Sequence, residues 1–181
     1  MLMVDEQRTH HHSFGRHSHE ADAREAIDFI DIDGKLSVLD IGGGDGVYSK
    51  EFVRRGFEVT LLDAHDYNFS ELNSMGIKTI RGDFCNYSGH GYDILFMAHV
   101  YHDLIHDCRE RVSTNIKAIG GRYVAIIDFT KEGIQFGPPK WLRIDKEDVI
   151  RDMNSIGYIL VRSKDIQNQY ILLFEKMPDS Q

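Results

Sequence analysis

The chain has 181 residues, 41% of them apolar, and a formal net charge of −8. That size fits one domain around a single core, and the apolar share excludes a disordered chain. The negative balance, with no run of Lys and Arg, argues against a nucleic-acid partner, and no apolar run is long enough to span a bilayer.

Residues 1–20 are polar and hold five of the ten histidines: His10, His11, His12, His17 and His19. They are expected to form a flexible segment, loosely docked as a lid. Transition-metal binding by the histidines is the rival reading. A single domain is expected over residues 21–177. Two cysteines, Cys85 and Cys108, suggest neither a disulfide framework nor a four-thiolate zinc site. The amino terminus lacks the apolar core of a signal peptide. A soluble, reducing, cytoplasmic setting is therefore expected.

Apolar residues at helical spacing predict a first helix over residues 21–30. Residues 36–41 are the first strand. The next helix, over residues 46–55, is ended by Gly56. A second strand over 57–62 stops at Asp63. A short helix over 69–75 and a strand over 77–80 follow. Residues 92–98 are almost all apolar, as a parallel strand buried on both faces should be. Cys108, Val112, Ile116 and Ile119 mark one face of a helix ended by Gly120 and Gly121. Residues 123–127 make a fifth strand. Beyond a stiff Phe136-Gly137-Pro138-Pro139 loop, Asp145 is placed to cap a helix. Residues 158–161 and 170–174 then read as two strands joined by a polar turn. Strands alternating with helices imply a parallel sheet with right-handed crossovers, and the terminal hairpin adds an antiparallel strand.

The most informative segment lies between the first strand and the second helix. There Asp40 is followed by alternating Gly42, Gly44 and Gly46. A glycine-rich turn in this place lets a ligand approach the backbone. No Gly-Lys-Ser/Thr follows, so a nucleoside triphosphate lacks its usual anchor. The dinucleotide spacing G-x-G-x-x-G also fails, because Val47 or Ser49 stands where the third glycine belongs.

The acid-x-G-x-G-x-G pattern instead resembles motif I of the class I S-adenosylmethionine-dependent methyltransferases. The chain is similar in particular to the small type 11 group, related to the ubiquinone and menaquinone methyltransferases. The resemblance is carried by residues 38–46, Tyr92-Asp93-Ile94-Leu95-Phe96, His99-Val100-Tyr101-His102-Asp103, and Gly137-Pro138-Pro139 with Arg143-Ile144-Asp145. It implies an α/β, Rossmann-like, seven-stranded and mostly parallel sheet of order 3-2-1-4-5-7-6. Strand 7 is antiparallel, and helices cover both faces.

The implied cofactor is S-adenosylmethionine, held between strands 1 and 4. The backbone of Gly42, Gly43, Gly44 and Gly46 would meet its methionine part, with Asp40 fixing the loop or a water, or the segment would be a plain tight turn. Asp63, with Ala64 beside it, would accept from the ribose diol, or else cap a helix. Asp83 and Phe84 would hold the adenine, or Asp83 would cap a turn. Ala98 would close the pocket at the end of strand 4.

The implied activity is methyl transfer to a small-molecule acceptor, with O, C and N nucleophiles all open. His102 matches the position of the catalytic base in similar plant phenolic O-methyltransferases, and His99 lies one turn before it. Lining the pocket is the plainer role for both, and His102 could equally cap the next helix or pack against the loop. Tyr101, Trp141 and Arg143 are candidate substrate-lining residues. Arg143 suits a carboxylate fork or a pairing with Asp145. No metal is expected in the site. The Asn/Asp-Pro-Pro-Tyr/Phe motif for amino nitrogens is absent, since Met97-Ala98-His99-Val100 stands there. Two cysteines are also too few for arsenic chemistry. A cofactor-binding regulatory protein and an NAD-dependent oxidoreductase are the alternatives. Either a monomer or a homodimer fits.

Overall fold

The computed structural model describes residues 16–132 and 136–178. In chain order the elements are α1 (Arg16–Ile30), β1 (Ser37–Ile41), α2 (Val47–Arg54), β2 (Glu58–Asp63), α3 (Phe69–Ser74) and β3 (Lys78–Arg81). A short 3-10 turn (Phe84–Asn86) precedes β4 (Ile94–Ala98), α4 (Tyr101–Ile119), β5 (Tyr123–Phe129), α5 (Lys146–Ser155), β6 (Tyr158–Ile166) and β7 (Gln169–Lys176). The sheet has seven strands in the order β3-β2-β1-β4-β5-β7-β6. The pairs β3–β2, β2–β1, β1–β4 and β4–β5 are parallel, and β7 runs antiparallel to both β5 and β6.

Two apolar layers flank the sheet. Ala26, Ile27 and Ile30 of α1, Phe52 of α2 and Leu72 of α3 pack on one face with Val38, Leu61 and Phe96. Leu104, Val112 and Ile116 of α4 and Val149 and Met153 of α5 cover the other face with Leu39, Leu95 and Ile126. The alternation of Val38 and Leu39 between layers follows from the strand's two-residue period. Ile94, Leu95, Phe96 and Met97 of β4 are fully buried, which is why the run is apolar throughout. Each such side chain contributes roughly 1.5–3 kcal/mol of burial.

Several elements differ from the sequence expectation. Helix α1 begins at Arg16, five residues before position 21, so His17 and His19 belong to it. His10, His11 and His12 lie outside the described residues. β5 continues past Ile127 through Asp128 to Phe129. β6 reaches Ile166, where the strand was expected to stop at residue 161. Its outer half is polar because it forms an exposed sheet edge, which hides it from an apolar-run criterion. Asp145 stands at the N-terminus of α5 but makes no side-chain cap bond, since its carboxylate takes Lys131 Nζ at 2.6 Å.

The two cysteines, from which no disulfide framework was expected, are nevertheless paired. Cys85 and Cys108 are joined in a disulfide across 23 positions of sequence. Their separation hides the pairing, which depends on the 3-10 turn docking against α4. Among the described residues no helix is long and apolar enough to cross a membrane.

Candidate active site

β1 and β4 lie side by side in the sheet, and the expected crevice lies beyond their carboxyl ends, between the loops that follow them. After Ile41 the chain turns back at Gly42, whose N–H bonds to Leu62 O at 2.7 Å. Gly42 has φ +66°, and a Cβ there would sit 2.6 Å from Val100 Cγ2 in the loop after β4. Only glycine satisfies both the left-handed backbone and the close approach. Gly44, at φ +57°, is different: a Cβ there would meet no protein atom within 4 Å. The space beside Gly44 is thus free of protein.

Acidic side chains brace this turn. Asp63, at the end of β2, accepts the Gly44 N–H at 2.9 Å and the His65 N–H at 2.9 Å, one on each oxygen. The helix-cap alternative for Asp63 is not observed, because Asp66 accepts the Phe69 N–H at the start of α3. Ala64 is exposed beside it. Asp40 is buried in β1 and accepts the Ser49 hydroxyl of α2 at 2.6 Å. Burial pushes its carboxyl up to about 7, against the opposing pull of the Ser49 hydrogen bond and with added repulsion from Asp63. Asp40 therefore ties strand to helix rather than holding the glycine amides.

Asp83 accepts the Cys85 N–H at 2.9 Å and Asn86 Nδ2 at 2.9 Å, so it does cap the 3-10 turn. Its carboxylate remains exposed. The Phe84 ring is buried, and its carbonyl accepts Asn115 Nδ2 of α4 at 2.6 Å.

The two histidines sit on either side of the loop into α4. His99 follows Ala98 with φ +59°, an uncommon conformation for a residue with a Cβ. Its N–H bonds to Ile127 O at 2.8 Å, and its Nε2 lies 3.0 Å from Gln169 Oε1. Its ring packs 4.7 Å from Phe129. Burial lowers the pKa of His99, partly opposed by Gln169 and Asp128, so the imidazole is held neutral.

His102 is held more tightly. Its Nδ1 lies 2.7 Å from Asp128 Oδ1, and its backbone N–H donates to Asp128 Oδ2 at 3.0 Å. Both residues are buried, at 4% and 1% exposure. This contact assigns the Nδ1 proton, leaving the Nε2 lone pair free. Nε2 lies 3.5 Å from the exposed Asp103 Oδ2. Burial lowers the His102 pKa, but the hydrogen bond and charge of Asp128 outweigh it, with Asp103 adding to them, and the net direction is upward.

The expected substrate-lining residues divide. Tyr101 is buried, and its hydroxyl donates to Asp152 of α5 at 3.1 Å, so it faces the core and not the crevice. Arg143 offers no free fork. At 4% exposure, its guanidinium donates to Pro138 O at 2.8 Å, Thr130 O at 2.9 Å and Phe136 O at 2.6 Å. It does not pair with Asp145 either. A lone Arg after a proline-rich loop gives no sign that backbone carbonyls will saturate it. Trp141 is 73% exposed and packs edge-on against His106, 5.6 Å between ring centres. His106 lies four residues after His102, on the same face of α4, so Trp141 stands at the rim.

Asp128 and Gln169 were not expected at the site. Asp128 had a legible signal: like Asp63 it is an acid closing an apolar strand. Ending β5 at Ile127 concealed it. Gln169 had none, because only the hairpin's register brings it to His99. Among the described residues no group of three or more His, Cys, Asp or Glu side chains is arranged to hold a metal ion.

No known protein-family model matches the chain, and no curated protein matches it. Solved structures do. An S-adenosylmethionine-dependent methyltransferase from Aquifex aeolicus aligns with TM-score 0.74 at 19% identity, over 86% of this chain and 90% of that one. A protein from Sulfolobus solfataricus assigned to the type 11 methyltransferases aligns with TM-score 0.67 at 21% identity, over 81% and 87% of the two chains. A third is the 1,6-didemethyltoxoflavin-N1-methyltransferase of Burkholderia thailandensis, solved with 1,6-didemethyltoxoflavin and S-adenosylhomocysteine. It aligns with TM-score 0.67 at 14% identity, over 89% and 77%. The fold is that of the class I S-adenosylmethionine-dependent methyltransferases.

Proposed function

We propose that this chain is an S-adenosylmethionine-dependent methyltransferase acting on a small molecule with a hydroxyl acceptor. The observation that carries this reading is the buried His102–Asp128 pair at the end of the sheet that also bears the glycine turn. An imidazole so arranged can take a proton at Nε2, a capacity that holding the cofactor alone does not require.

The residues fit the cofactor. The protein-free space beside Gly44 leaves room for a ligand against the backbone. The Asp63 oxygens each hold one backbone N–H and retain lone pairs for a ribose diol. On this reading Asp83 and the Phe84 amide would take the adenine, and the backbone of Gly42, Gly43 and Gly46, with Ala98, would form the wall. When bound, S-adenosylmethionine supplies an activated methyl carbon on a sulfonium.

Three tasks fall to the chain itself: aligning the acceptor, excluding water and removing a proton. His102 takes the hydroxyl proton at Nε2. Asp128 keeps the other proton on Nδ1 and stabilises the imidazolium that results. Neutral His99 adds a wall without competing charge. Asp103, close to Nε2, disfavours an acceptor with a carboxylate at this point. Trp141 at the rim offers a flat apolar surface to an aromatic acceptor.

Two measurements test the reading. Melting temperature should rise with S-adenosylmethionine or S-adenosylhomocysteine and not with nicotinamide dinucleotide. Phenols and related hydroxyl compounds should then release S-adenosylhomocysteine, and His102→Ala should cut that turnover by roughly 10²-fold or more while cofactor binding survives. Unchanged turnover in His102→Ala would remove the base from the mechanism.

A further inference from the structure

The Cys85–Cys108 disulfide joins two parts of the candidate site. Cys85 lies in the 3-10 turn immediately after Asp83 and Phe84. Cys108 lies inside α4, where the backbone leaves helical geometry (φ −153°, ψ 45°) and breaks the helix in two. The first half, Tyr101 to Asp107, carries His102 and Asp103. The second half carries Arg111 and Asn115, which bond the turn at Asn86 Oδ1 and Phe84 O. The Cα atoms of the two cysteines are 6.0 Å apart.

A helix break has an identifiable cause. Around Cys108 there is no proline and no glycine from residue 101 to residue 119. The cross-link is the feature that coincides with the break. The hydrogen bonds from Arg111 and Asn115 hold the turn to the second half of α4 whether or not the sulfurs are joined. What the sulfurs add is a grip on the break itself, and so on the direction of the half-helix that carries the base. Val100, at the N-terminus of that half, touches Gly42. A change in its direction therefore reaches the glycine turn as well as Nε2 of His102.

We infer that Cys85 and Cys108 form a reversible thiol–disulfide site that sets the alignment of the base-bearing half of α4 and, through it, the grip on the cofactor. This rests on the function proposed above. Both residues are half-buried against the edge of the core, and thiol–disulfide exchange is the route by which a small dithiol would open the link. A reductant thiolate attacks one sulfur, the S–S bond breaks, and its electron pair leaves on the other sulfur. The reductant's second thiolate then attacks the reductant sulfur of the mixed disulfide, closing the reductant's own S–S bond and releasing the remaining protein thiolate. Two electrons and two protons reach Cys85 and Cys108, and the reductant becomes a disulfide. Released from the link, Cys108 returns to the hydrogen-bonded ladder and α4 straightens. The oxidised chain is the competent form.

The test uses the full chain in both redox states, with thiols counted by mass spectrometry after alkylation. Calorimetric titration with S-adenosylhomocysteine should show the reduced chain binding at least about fivefold more weakly. Linkage demands the converse: S-adenosylhomocysteine should lower the reduction potential of the pair by about 21 mV for that factor. Hydrogen exchange at residues 104–112 should slow on reduction as the helix closes. Cys108→Ser should bind like the reduced chain and ignore dithiol, and Cys85→Ser should match it. A melting temperature that falls on reduction with unchanged affinity and exchange overturns the proposal, leaving a purely structural cross-link. Binding by neither form of a folded chain overturns the cofactor reading and this one together, whereas equal binding by both sinks this one alone.

Discussion

His102 Nδ1 lies 2.7 Å from Asp128 Oδ1, and the same carboxylate accepts the His102 backbone N–H through its other oxygen. One acid thus fixes the start of α4, the ring's orientation and its tautomer. The Phe129 N–H donates to Oδ1 as well, at 2.9 Å, so the carboxylate is itself held rigidly.

Asp128→Asn should expose this dependence. The base works as the neutral imidazole, so turnover climbs as pH rises through the His102 pKa, which Asp128 holds above its ordinary 6.5. Without the charge, the limb of the pH–rate profile should move to lower pH, and turnover at the plateau should fall by roughly 10²-fold. The stability linkage runs the same way. A raised folded pKa stabilises the chain fully below the unfolded value, and that share is lost as pH rises through the folded one. The stability gap between wild type and Asp128→Asn in urea should therefore be widest in acid and narrow toward alkaline pH. A profile that does not move would deny Asp128 any positioning role.

Asp40 gives the plainest stability test. Its carboxyl is raised from 3.8 to about 7 by burial. Between those values the folded chain keeps a proton that the unfolded chain releases. The stabilisation is complete below the lower value and disappears as pH rises through the upper. Asp40→Asn keeps an oxygen for the Ser49 hydroxyl and cannot ionise. It should match wild type near about pH 4 and exceed it at about pH 8, by up to roughly 4 kcal/mol. Urea melts of both proteins across pH would read this directly, and a gap that stays constant would contradict it.

Asp63→Ala removes the acceptor for two backbone N–H groups, Gly44 and His65. The turn loses its brace and the ribose its proposed partner. Affinity for S-adenosylhomocysteine should drop roughly 10- to 100-fold by calorimetry, with the circular dichroism spectrum unchanged.

Arg143 is expected to act on the loop and not on the acceptor. Arg143→Met strips the carbonyls of Thr130, Phe136 and Pro138 of their donor. Stability should fall by about 2–4 kcal/mol, and limited proteolysis should cut within residues 130–143. Arg143→Lys should not restore it, because an ammonium cannot span three carbonyls in fork geometry. A stable variant with poorer acceptor binding would return Arg143 to the pocket.

The strands themselves and the glycine turn were legible because each rests on a local rule, whereas the order of the strands followed only from the resemblance. β4 reads as a buried strand from its apolar run, and Gly42, Gly44 and Gly46 mark a turn from their spacing. The misses lie where distant segments meet. Tyr101 and Arg143 carry functional chemistry in a linear reading, yet Asp152 and three carbonyls claim them in the fold. Gln169 and the Cys85–Cys108 link depend on docking that no local pattern records. Asp128 lay between these cases: its residue type was informative, and only the strand's boundary hid it.

The position of β7 between β5 and β6 has a consequence for biosynthesis. As the polypeptide emerges from the ribosome, β5 pairs with β4 on one side and has nothing on the other until residues 169–176 arrive. Its open flank is a template for the wrong neighbour throughout that interval. The nascent chain gains both its finished sheet and the Gln169 contact to His99 from one late hairpin, so a stalled or clipped product would keep an unpaired β5 edge and lack the imidazole's anchor.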